Sequence, residues 1–554
     1  MKKHSIRNKK VRYAGISVML TVAILVVTVL LNAVLSSLVT RYSLYTSLIG
    51  EQSFAVSEEC YDLLEDAFEK AEQNGRRDEV KIIFCDKESV VSQYSHYNYF
   101  IYNTVKELSA RFDNIKVEYT DIYTHPTEEL KKYTVSYHPL TGEELKTPLL
   151  PSSVVVTSGD YHAVYSYTDF YSYESEDVSE AWGYAGERKM TAALLRAVES
   201  ERHIAVLMLN HGEVLADYEI MAILSDAGYT VVTLDIYNEE IPKECDLLIS
   251  FNPKTDLVAD DLSEKSEIEI IDNFLSVSGH AFYVFLDKST RELPNFERYL
   301  KEWGVSANYW EGNGVSYRYS IQDEGGSLTS DGCTIYGSVC DSAKDAYVSE
   351  EKFVVFQNAT ALERASENYT QNSDGSYTWA SRNRTMYPIY ESSENSLSWA
   401  NGQVVDGGSQ MMLSITEQKN EDGTSYVGVI SSANFAKREF LQSAVYGNAD
   451  VLLHLFEQTG GQGGPKGLKL IPFNYRVIST VTTSQILMWT LTLTIVPAVL
   501  ITAVALTVTK TPPLWQGTTA RWATISFLSL TTTAFTPARR STMPIAVSSW
   551  ASPA

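Results

Sequence analysis

Cysteine is scarce in this chain: five residues in 554, with no CxxC pair and no zinc-ligand spacing among them. That excludes a disulfide-framework module, a zinc finger and a thioredoxin-type redox pair. A P-loop is also lacking. Gly460 to Lys466 is glycine-rich but does not fit G-x-x-x-x-G-K-[ST], so ATP binding has to come from another chain. Positive charge is in short supply, with 45 Lys+Arg against 69 Asp+Glu and a formal net of −24. Thirteen of the 45 lie before Ala14 or after Glu457, in stretches without one acid, so the middle carries 32 basic residues against all 69 acidic ones. Such a surface repels nucleic acid and anionic headgroups, and nucleic-acid binding is excluded.

Charge is missing altogether from two apolar runs, Ala14–Val39 and Ile486–Val508. Each is long enough to cross roughly 30 Å of hydrocarbon as a helix. The basic N-terminus, residues 1–13, favours a cytoplasmic start. The first run exceeds the roughly 7–15 apolar residues of a cleaved signal peptide. The expectation is therefore a two-pass protein of the cell (plasma) membrane, held in lipid by transmembrane helices at 14–39 and 486–508. Both termini are then cytoplasmic, and a large domain stands outside.

Between the runs the pattern is α/β. In the region 52–180, a helix capped by Ser57 precedes VKIIFCD (Val80–Asp86), a second helix spans about Asn98 to Phe112, and strands follow at Ile115–Ile122 and Ser152–Ser158. Strand, helix and strand at this spacing suggest a parallel βαβ unit, read as a small thioredoxin-like domain. A helix at Glu187–Val198 leads into a second array, 187–458. Its strands are His203–Asn210, Thr230–Tyr237, Asp246–Pro253 and His280–Asp287, and its helices Glu213–Asp226 and Leu262–Val277. Near-continuous apolar strands alternating with amphipathic helices predict a parallel, flavodoxin-like sheet covered on both faces. A β-rich insertion occupies about 305–424, a closing strand Tyr426–Ser432, and a Gly-rich linker 459–467. The tail 511–554 has no Asp, Glu or Tyr in a chain of 35 tyrosines, and reads as disordered or frame-shifted.

The best candidate site is the turn His211-Gly212-Glu213, where the first strand of the second array hands over to its helix. Open α/β sheets bind ligands at that edge. His211 can exchange a proton near neutral pH, oriented by Glu213. Asn252, Asp287 and Asn434 fall at the carboxyl ends of other strands and can face the same crevice. The same residues also have a purely structural reading, in which Gly212 permits the turn and Glu213 favours a helix N-terminus. Cys333 and Cys340 can close a small loop as a disulfide. No metal and no cofactor is expected.

The order of LMLNHGE (Leu207–Glu213), AGYTVVTLDIY, IPKECDLLISFNPKTDL, GVISSANF (Gly428–Phe435) and GNAD (Gly447–Asp450) resembles the GldG-like family, the auxiliary component of gliding-motility-type ABC transport systems. The likeness covers about Met1 to Lys510. It implies a class I glutamine-amidotransferase-like fold for the second array, with an ABC permease and a separately encoded ABC ATPase as partners. The chain departs from an amidotransferase in lacking G-x-C-x-G, since its third strand runs into Asn252-Pro253-Lys254. The resemblance thus implies a non-catalytic, membrane-anchored auxiliary subunit whose outer domain binds substrate or an envelope partner. The alternative is a membrane-anchored hydrolase or transferase acting on envelope material through a crevice at His211.

Overall fold

The structure is a computed structural model that describes residues 56–473, apart from 75–78, 94–96, 125–127, 138–142, 174–180, 200–202, 216–217, 260–264, 313–314, 345–346, 349–352, 366–367, 444, 462–463 and 469. The first layer begins with helix α1 (Glu58–Gln73), whose N-cap Ser57 accepts a hydrogen bond from Cys60 N. Strand β1 (Val80–Phe84), helix α2 (Tyr99–Arg111), strand β2 (Ile115–Tyr119) and the hairpin β3 (Ser153–Ser158) and β4 (Tyr161–Ser166) follow. The sheet order is β2-β1-β3-β4. β1 and β2 run parallel across the α2 crossover, whereas β1–β3 and β3–β4 are antiparallel. Only Gly159 and Asp160 separate β3 from β4, and a two-residue loop can join strands only in an antiparallel sense.

Helix α3 (Gly186–Val198) lays Met190, Ala193, Leu194 and Ala197 into the core of this first sheet, beside Cys60 and Leu64 of α1. It leads to the large sheet, built from β5 (Ile204–Met208), α4 (Ile220–Asp226), β6 (Thr230–Leu234), β7 (Cys245–Phe251), α5 (Glu267–Leu275), β8 (Ala281–Phe285), α6 (Pro294–Glu302), β9 (Thr334–Val339), β10 (Val354–Gln357), β11 (Arg384–Glu391), β12 (Met411–Asn420), β13 (Gly423–Ile430) and α7 (Asn448–Gly460). Its main path is β6-β5-β7-β8-β13-β12-β11-β9-β10. The strands from β6 to β13 are mutually parallel, and every later junction is antiparallel. Period-two alternation splits the fully buried β8 between two cores. Ala281, Tyr283 and Phe285 face α4 and α7, while Phe282 and Val284 face α5 and α6. Residues Gln52–Asn474 form one compact unit.

The expectation of parallel-sheet domains set between two transmembrane helices is overturned, because both sheets are mixed. The segment expected as an insertion at about 305–424 supplies β9 to β12, which continue the main sheet through hairpins. The β12–β13 connection shows why. Asn420 pairs with Gly423 across the two residues Glu421 and Asp422, a loop that reverses the chain. The expectation of a two-pass membrane protein is not supported either: among the described residues no helix is long and apolar enough to cross a membrane. The runs 14–39 and 486–508 on which that expectation rested lie outside the described residues, as do 1–13 and 511–554. Helix α4 is also shorter than the expected 213–226. Glu213 turns its carboxylate onto the His211 backbone rather than opening a helix.

Candidate functional site

The turn after β5 uses two left-handed residues, Asn210 (φ 79°) and Gly212 (φ 78°), the residue types that enter that region at least cost. The turn buries His211, which is 5 % exposed. Glu213 Oε2 accepts the His211 backbone N–H at 2.8 Å, and Glu213 Oε1 lies 3.4 Å from imidazole Nδ1 as an ion pair without hydrogen-bond alignment. On the other side Nε2 donates to Glu267 at 3.2 Å. Glu267 opens α5 and also accepts the Val258 N–H at 2.8 Å. Burial pulls the imidazole down, but the Glu213 and Glu267 carboxylates outweigh it and hold it up at about 10.

His211 is therefore an imidazolium at neutral pH, with both ring nitrogens facing carboxylates. In that state it has no lone pair to act as a base, and its proton is held too tightly for efficient acid catalysis near pH 7. It ties the β5–α4 turn to the start of α5. Glu267 was missed in the sequence because an acid in the first turn of a helix is ordinarily a dipole partner.

The C-terminal edge of the parallel strands draws part of the candidate set together. Asn252, left-handed at φ 49°, accepts Lys254 Nζ at 2.7 Å and Thr290 Oγ1 at 3.0 Å through Oδ1. Thr290 Oγ1 also accepts the Asp287 N–H at 3.1 Å, so Asn252 and Asp287 meet through one hydroxyl. The Asp287 carboxylate accepts the backbone and hydroxyl of Ser289, at 2.8 and 2.5 Å, which makes it a turn former. His211 joins this group by backbone alone, its carbonyl accepting Lys254 N at 2.6 Å and Thr255 N at 3.1 Å. Asn434 belongs to a separate network, accepting from the Tyr218 hydroxyl at 3.1 Å and donating to Gln357 Oε1 at 3.1 Å.

Two cations here escaped notice in the sequence. Burial pulls the Lys254 amine down, against the opposing pull of Asp287. Arg318 sits in a strand of the β-rich segment with its side chain fully buried, donating to Thr290 O at 3.1 Å and to Glu297 Oε1 at 2.7 Å. No period or motif marks Arg318, since its partners arrive from residues 290 and 297.

The disulfide expected between Cys333 and Cys340 does not form, and all five cysteines are free thiols. Cys333 precedes β9 and Cys340 follows it, so an extended strand separates them by roughly 20 Å, well beyond bridging distance. Burial pushes the Cys85 thiol up to about 12, which leaves it no redox character. Among the described residues no group of three or more His, Cys, Asp or Glu side chains is placed to hold a metal ion.

No protein-family model and no curated protein matches the chain. Among solved structures, the mmIFT52 N-terminal domain is similar over 46 % of this chain and 96 % of its own, at 13 % identity and a TM-score of 0.31. No function is drawn from a likeness at that level.

Proposed function

We propose that the chain is a non-catalytic accessory subunit that acts by binding, in partnership with a separately encoded permease and ATPase of the ABC type. The partners come from the GldG-like order of segments in the sequence. The observation that carries the non-catalytic part is the His211 clamp. The histidine at the sheet edge that could have served as acid or base is flanked by carboxylates at both nitrogens, hydrogen-bonded to Glu267 through Nε2 and ion-paired with Glu213 at Nδ1. Asn252, Asp287 and Asn434 are likewise engaged in holding turns and strands together. This arrangement favours a binding module over the hydrolase or transferase alternative.

Affinity purification of the tagged full chain in mild detergent, followed by mass spectrometry, tests the proposal. Co-recovery of a permease and an ATPase is the expected result. Recovery of neither overturns the partnership, and hydrolysis of envelope fragments that is lost in His211→Ala would reinstate the enzymatic alternative.

A further inference from the structure

A crevice of about 240 Å³, whose lining includes none of His211, Asn252, Asp287 and Asn434, lies between residues 168–173 and 185–189 on one side and residues 219–226 and 438–442 on the other. It is smaller than the roughly 300–1,000 Å³ of cofactor and drug-sized sites, so its occupant is a small molecule. Two ion pairs brace its walls. Lys189 Nζ donates to Asp226 Oδ1 at 2.6 Å, and Arg438 Nε to Glu219 Oε1 at 2.5 Å. Arg188, in the first turn of α3, differs from these. Its guanidinium reaches only the Leu441 carbonyl, at 3.4 Å from each Nη, and among the described residues it has no carboxylate partner.

Two further polar groups line the same space without partners. The Ser172 hydroxyl belongs to a residue that is 0 % exposed, and its oxygen makes no hydrogen bond. The Gln442 side-chain Oε1 is buried and equally unmatched. Buried polar atoms are normally satisfied, and leaving one unmatched is costly. A guanidinium and a hydroxyl can both donate to one carboxylate, and an amide oxygen accepts from an ammonium.

We propose that this crevice binds a small zwitterion of the α-amino-acid class, its carboxylate held by Arg188 and Ser172 and its ammonium by Gln442 near Glu219. The inference gives a ligand class to the accessory-subunit reading and rests on that reading for its biological sense. Its test needs this chain alone, so it can fail while the pull-down succeeds, and the reverse.

The full-length protein is titrated with the standard amino acids one by one, by calorimetry and thermal shift. At least one is expected to bind and to raise the melting temperature. Arg188→Gln weakens that binding by about tenfold or more, because it removes a charge-assisted contact. Ser172→Ala, which removes a single buried hydroxyl, weakens it by a smaller factor and serves as the second variant if the first is unstable. The same amino acid with its carboxylate amidated or its amine acetylated should not bind. Absence of binding across the set overturns the proposal, as does binding indifferent to both substitutions or to either blocking group.

Discussion

At the residue scale, His211 shows how a side chain with catalytic credentials becomes a structural cation. Replacing it with Ala leaves Glu213 and Glu267 buried without their counter-charge, a change worth about 3–5 kcal/mol. Urea unfolding at pH 7 measures this, and a loss within error of zero would show that the clamp is not formed. The pH dependence has a definite sign. With the folded pKa raised to about 10 from an ordinary value of 6.5, the contribution is complete below about pH 6.5 and is lost as pH rises through about 10. The stability gap between wild type and His211→Ala should therefore narrow across that window. A gap that widened on going alkaline would contradict the assignment of charge.

At the element scale, the large sheet ends in β10, whose backbone would otherwise be an open edge. Asn448, fully buried at the start of α7, closes it by copying a strand. Its Oδ1 accepts Val355 N–H at 3.0 Å and its Nδ2 donates to Val355 O at 2.9 Å. An exposed edge invites pairing with another chain. Asn448→Ala should cost about 2–4 kcal/mol, because it orphans a buried backbone donor and acceptor. It should also raise the aggregation tendency. Chemical denaturation and light scattering read the two effects, and a variant as stable and monodisperse as wild type would rule out the edge role. The GNAD run drew notice in the sequence only as a segment in order. Its work on the edge depends on residue 355, which is 93 positions away.

At the scale of the whole molecule, the thiols report on packing. Burial pushes Cys60, Cys85 and Cys245 up to about 12, so their thiolate fraction is negligible near pH 8. These three should react with a thiol reagent only after denaturation. Electrophoretic mobility of the denatured protein should be the same with and without reductant. Rapid reaction of all five in the native protein, or a mobility shift on reduction, would show a different core or a bridge. Much of the element order was legible, because strands such as β5, β7 and β8 are apolar runs bounded by turn residues. The helices around them carry period-3.6 stripes, as α3 and α5 do. The direction in which strands pair was not legible, since hydrophobic runs of β-strand length look alike in parallel and antiparallel sheets.

Local chemistry, written into neighbouring residues, determined the acidic balance, the missing P-loop and redox pair, the α/β alternation and the tight turn that Gly212 permits. Tertiary structure alone decided that the sheets are mixed, that His211 carries a proton, and that Arg188, Ser172 and Gln442 share a crevice. The physical reason is range. A turn or a helix stripe is set within a few residues. The charge state of His211, by contrast, depends on Glu267, 56 positions along the chain, and folding is what brings that carboxylate within 3.2 Å.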